Sequence, residues 1–86
     1  MKVVILYHPE SEQARSVLIF QHDFEKLASK PAELISLETP KGDEQAKLYG
    51  VTQYPAIIVC SDSGELLKLW EGEDLPQISE VISYTM

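Results

Sequence analysis

The 86-residue chain predicts one α/β domain over residues 1–86, a four-stranded mixed sheet with helices on both faces in the order β-α-β-α-β-β-α. Three observations carry that expectation. "KVVILY" is a continuous apolar run rich in β-branched residues, the pattern of a strand covered on both faces. A long segment of helical spacing separates it from "AELISLE", and two strands joined through a helix form a parallel pair with a right-handed crossover. Later, "YPAIIVC" and "ELLKLWEG" are separated only by the turn "SDSG", which makes an antiparallel hairpin.

The first strand covers residues 2–7 and ends at His8-Pro9, because Pro9 removes a donor and biases His8 away from helical geometry. The helical pattern runs from about Ser11 to about Ser29. Ala14, Val17, Phe20, Phe24, Leu27 and Ala28 recur at spacings of three and four and share one face. Ser11 can cap its start, Glu10 and Glu12 suit the positive end of the helix dipole, and Lys26 and Lys30 suit the other end. Pro31 prevents continuation. Ile19 projects nearly opposite to Val17 and Phe24, either as an isolated surface residue or as a contact with a partner.

The second strand is expected over 32–38 and "TPKGD" as a loop. Asp43 is placed to cap a short helix through Tyr49, and Gly50 to end that helix in the left-handed conformation. Residues 54–60 make the third strand, opening on a proline, and 65–72 the fourth. From about Leu75, the spacing of Leu75, Ile78, Val81 and Ile82 gives a final amphipathic helix.

The apolar fraction of 44% places the chain among globular proteins rather than disordered ones. Fourteen acids against seven Lys and Arg give a net charge of −7, which repels phosphate backbones and anionic lipid heads. No nucleic-acid or membrane partner is therefore expected. Cys60 is the single cysteine, so neither an internal disulfide nor a cysteine zinc site is possible. No apolar run is long enough to span a bilayer, and the N-terminus enters a strand pattern directly, which predicts a cytoplasmic protein. His22, flanked by Asp23 and Glu25, sits on a charged helix surface without metal-ligand spacing, and neither a metal nor a cofactor is expected.

The element order resembles the minimal thioredoxin fold, as in glutaredoxins. "LYGVTQYPAIIV", residues 48–59, is similar to the thioredoxin segment in which Tyr-Gly-Val or Tyr-Gly-Ile precedes a proline by a short fixed spacing and an apolar strand follows. "SGELLKLWEG" resembles the thioredoxin hairpin, with Gly64 in its turn and Gly72 at its end. The resemblance covers the whole chain. It implies that Pro55 is cis and that Tyr54 presents its backbone N–H and C=O to a ligand, as an exposed strand edge beside the active-site loop.

The departure from that family concerns its chemistry. Thioredoxins and glutaredoxins carry Cys-x-x-Cys, or at least its first cysteine, at the start of the first long helix, where the helix N-terminus generates a thiolate. In one register Ser11 and Ala14 stand at those positions, and in a register one residue later Glu12 and Arg15 do. Neither offers a thiol. Dithiol exchange through this loop is chemically excluded, and no catalytic residue is assigned.

The expected site is a groove of His8, Pro9, Ser11, Tyr54 and Pro55, with Ile19 as a candidate interface residue. Cys60 ends an apolar strand and reads as a small buried hydrophobe away from the loop. Trp70 and Tyr7 read as strand residues packed on the sheet, with Trp70's side undetermined. The resulting expectation is a redox-inactive thioredoxin-like binding module whose partner is a protein, an extended peptide or a second copy of the chain. The alternative is a binder of glutathione or another small thiol with Ser11 contacting the sulfur, as in some glutathione transferases of this fold. That alternative is weakened by the scarcity of cations near the loop, Arg15 being the nearest.

Overall fold

A computed structural model describes residues 1–86. Its elements are β1 (Lys2–Tyr7), α1 (Ala14–Ala28), β2 (Ala32–Ser36), α2 (Pro40–Tyr49), β3 (Ala56–Cys60), β4 (Leu66–Glu71) and α3 (Ile78–Ser83). The sheet order is β2-β1-β3-β4. β1 pairs parallel with β2 and antiparallel with β3, and β3 pairs antiparallel with β4.

Strand alternation divides the core in two. Val3, Ile5, Ile57 and Val59 face α1 and α3, where Val17, Phe20, Phe24 and Val81 cover them. Val4, Leu6 and Ile58 face the other way, toward Ala46 of α2 and Val51. β1 and β3 are thus buried on both faces, which is why their sequences are apolar without alternation. No helix is long and apolar enough to cross a membrane.

The elements are those expected, with corrected ends. α1 starts at Ala14 and is preceded by Gln13 without a side-chain cap, so Ser11 does not cap it. The Ser11 hydroxyl turns back to donate to the His8 carbonyl instead. β2 stops at Ser36, β3 starts after Pro55, β4 spans 66–71 and α3 begins only at Ile78. α2 starts at Pro40, absorbing most of the expected loop. Thr39 is its cap, accepting the Gly42 N–H at 3.2 Å, and Pro40 occupies a first-turn position that needs no donor. Asp43 lies inside the helix and pairs with Lys47 at 3.0 Å, a contact that raises the Lys47 pKa. Gly42 lets α2 approach β2, since a Cβ there would lie 2.1 Å from the Ser36 carbonyl oxygen. Gly50 ends the helix at φ 67°, in the left-handed region.

Leu27 is the clearest correction to the buried stripe. It is 67% exposed while Val17, Phe20 and Phe24 are buried, because it lies at the margin of the arc that α1 presents to the sheet. In denaturant titrations, Phe24→Ala is expected to cost about 3–5 kcal/mol, by creating a cavity among β1, β3 and α3. Leu27→Ala is expected to change stability by no more than about 0.5 kcal/mol. Similar losses for the two variants would contradict this packing.

Candidate functional site

At the end of β1 the chain turns through residues 8–13 before α1 begins. The turn closes on one acceptor: the His8 carbonyl receives both the Ser11 N–H at 3.0 Å and the Ser11 hydroxyl at 2.7 Å. Gln13 then donates from Nε2 to Glu73 at 3.1 Å, tying the helix start to the segment after β4. Of the positions matched to the family's two thiols, Ala14 is the first helical residue and Ser11 lies in the turn before it.

The opposing wall is the segment between α2 and β3. The Tyr54–Pro55 peptide is cis. Glu71, at the end of β4, holds this segment with one carboxylate oxygen, which accepts the backbone N–H groups of Thr52 and Gln53, both at 2.9 Å, and the Thr52 hydroxyl at 3.2 Å. Those bonds, the Thr52 N–H first and the Gln53 N–H next, pull the Glu71 pKa below its ordinary 4.5. Gly72, at φ 105°, donates its N–H to the Pro55 carbonyl at 3.0 Å. Between these anchors, the backbone N–H and C=O of Tyr54 have no hydrogen-bond partner in the chain.

The structure brings His8 and Tyr54 together. Their rings meet edge to face, with centroids 5.3 Å apart and planes at 81°. Ser11 is joined to this pair through the His8 carbonyl, Pro9 lies half-buried in the same turn, and Pro55 is buried beneath. The Tyr54 hydroxyl points back to the Val51 carbonyl at 3.4 Å. Ile19, 54% exposed on α1, is not part of this site.

Cys60 lies at the far end of the sheet, opposite Lys2 in the ladder, buried and directed at the Lys2 carbonyl at 3.8 Å. The Tyr49 phenol beside it is pushed up in pKa, by burial first and then by Cys60, and donates to the Gly64 carbonyl at 2.9 Å. Trp70 faces α3: its indole N–H donates to Glu80 at 3.1 Å and its ring meets Tyr84 edge to face at 5.4 Å. A cavity of about 640 Å³ also opens at the far end, lined by Met1, Lys2, Val3, Lys30, Pro31 and Glu33. It shares no residue with the site. Nowhere do three or more His, Cys, Asp or Glu residues gather as a metal site would require.

Sequence reasoning missed Glu71, Gln13 and Glu73. Glu71 reads as a polar residue at a strand end, and its partners lie 18 and 19 residues earlier, beyond the reach of any local pattern.

Neither the family models nor the curated proteins contain a match to this chain. Solved structures do. Thioredoxin 1 from the thermophilic eubacterium Thermosipho africanus TCF52B superposes with a TM-score of 0.71 at 18% identity, over 99% of this chain and 90% of that one. The oxidised thioredoxin of Plasmodium falciparum gives 0.70 at 14% identity, over 98% and 81%. A second Plasmodium falciparum thioredoxin structure gives 0.68 at 14% identity, over 95% and 82%. With the strand order, the helix placement and these superpositions together, the chain has a thioredoxin-like fold with a single cysteine and no Cys-x-x-Cys pair.

Proposed function

We propose that the domain is a redox-inactive binding module of the cytoplasm that takes an extended peptide segment along the backbone of Tyr54. The observation that carries this reading is the free N–H and C=O of Tyr54, held between two anchored neighbours. An extended peptide completes such an edge with two main-chain hydrogen bonds, and the His8–Tyr54 ring pair supplies an apolar wall beside it. The turn that would carry a thiol carries Ser11, and the only thiol is buried at the other end of β3. To donate to a bound thiolate, Ser11 would have to give up its 2.7 Å bond to the His8 carbonyl, and no observation favours that exchange.

Peptides selected from a displayed random library are expected to shift the Tyr54 and His8 resonances. Tyr54→Pro, which deletes an unbonded backbone donor together with the ring, should abolish binding, Tyr54→Ala, which deletes the ring alone, should weaken it only in part, and Tyr54→Phe should keep it within a few-fold. Selected peptides that bind Tyr54→Pro undiminished would overturn the reading. In an insulin-reduction assay the protein should not accelerate precipitation, and turnover lost in Cys60→Ser would contradict redox inactivity.

The display of Tyr54 rests on Glu71 being ionised. Its folded pKa is depressed, so its contribution is fully present above about 4.5 and is lost as pH falls through the lower, folded value. In an NMR pH titration, the Thr52 and Gln53 amide shifts should follow one transition with a midpoint below 4.5, and Glu71→Gln should remove it. A midpoint at or above 4.5 would mean that the carboxylate does not hold this loop.

A further inference from the structure

The chain treats the two edges of its sheet differently. On β2, Leu37 donates its N–H back to Tyr7 at 2.9 Å, so the backbone groups of Ile35 face β1 and those of Ala32, Leu34 and Ser36 point outward. The molecule covers half of these itself, at the two ends of the strand, and leaves Leu34 open. The Ala32 N–H donates to Glu25 at 2.8 Å and the Ala32 carbonyl receives Gln21 at 3.1 Å. The Ser36 carbonyl receives the Thr39 N–H at 3.2 Å and the Thr39 hydroxyl at 2.7 Å.

β4 has no such cover. The Gly72 N–H points to Pro55, so by alternation the backbone groups of Trp70 face β3, while the N–H and C=O of Leu69 and of Glu71 point away from the sheet. None of these four groups has a partner in the chain. A register shift at Leu67 interrupts the start of β4, but from Lys68 onward the usual edge protections are weak: β4 contains no proline, and its one lysine, Lys68, lies over the Trp70 ring at 5.8 Å. Leu66 and Leu67, beside the register shift opposite Cys60, are 40% and 38% exposed.

We propose that the outer edge of β4 is a docking surface for an extended, basic segment of a partner protein, which adds to the sheet as a fifth strand. Charge selects this occupant. Glu65 precedes β4, Glu71 ends it and Glu73 and Asp74 follow, against the single cation Lys68. A second copy fits poorly: antiparallel self-pairing centred on Leu69 sets Glu65 opposite Glu73, and each copy carries a net charge of −7. Glu71 adjoins both surfaces, its carboxylate on the Tyr54 loop and its backbone on the β4 edge, but the edge proposal does not depend on occupancy of the Tyr54 groove.

The test titrates the isotope-labelled full chain with two synthetic peptides, one alternating Lys with Val and Thr, the other with Glu in place of Lys. The Lys peptide should shift the Leu69 and Glu71 amides and slow their exchange, the Glu peptide should not, and about 1 M salt should weaken the interaction. Leu69→Pro, which removes an outward N–H and no internal bond, should weaken binding about tenfold. Leu67→Lys, which leaves the backbone unchanged and adds a like charge to the edge, should weaken it as well. The proposal is overturned if the two peptides bind alike, or if neither binds at about 1 mM. It also fails if the shifts fall only on His8 and Tyr54, or if sedimentation shows a dimer whose Leu69 and Glu71 amides are protected without peptide.

Discussion

Everything in this molecule hangs on a pair of strands that must be covered on both faces. β1 and β3 run antiparallel through the middle of the sheet and place Ile5, Leu6, Ile57 and Ile58 out of solvent. A chain of this size covers both faces only by spending its helices on them, α1 and α3 on one side and α2 on the other. The outer strands are then left as edges, and the loops at the ends of β1 and β3 are brought side by side. The His8 turn and the Tyr54–Pro55 segment face each other because the strands they cap are neighbours.

Glu71 acts within that frame as a backbone substitute. Pro55 has no N–H, and the residues before it leave the ladder, so Thr52 and Gln53 would otherwise present bare donors. One carboxylate oxygen takes both, and the N–H of Gly72 takes the Pro55 carbonyl. The result is a loop fixed on either side of Tyr54 with Tyr54 itself unpaired. In a redox protein of this fold such an edge would lie beside a thiolate; here it lies beside a serine hydroxyl already bonded to His8. The loop carries no thiol.

The fold was legible because buried strands and an amphipathic helix write themselves as local patterns. The run "KVVILY" and the Val17, Phe20, Phe24 stripe needed no tertiary information. Helix starts were harder. Ser11 and Asp43 are both good capping types, yet Ser11 is taken by a tight turn and Asp43 by Lys47, while Thr39 and Pro40 open α2. Leu27 shows that periodicity marks an arc and not its edges. Of the site, His8, Ser11, Tyr54 and Pro55 were reached through a family pattern around a proline. Glu71 and the Gln13–Glu73 tie were not, since each joins residues distant in sequence whose types are common on any surface. The contrast between the half-covered β2 edge and the open β4 edge is invisible in sequence for the same reason: it depends on which way alternate backbone groups point.

Tyr54 is the unpaired residue within an otherwise anchored segment, and residue-resolved amide hydrogen exchange at neutral pH reads this out N–H by N–H. Exchange should be slowest in β1 and β3, measurably slowed at Thr52, Gln53 and Gly72, and at the unprotected rate for Tyr54. Protection of Tyr54 comparable to that of Gln53 would mean that its N–H is already satisfied within the chain and that no open backbone edge exists at this residue.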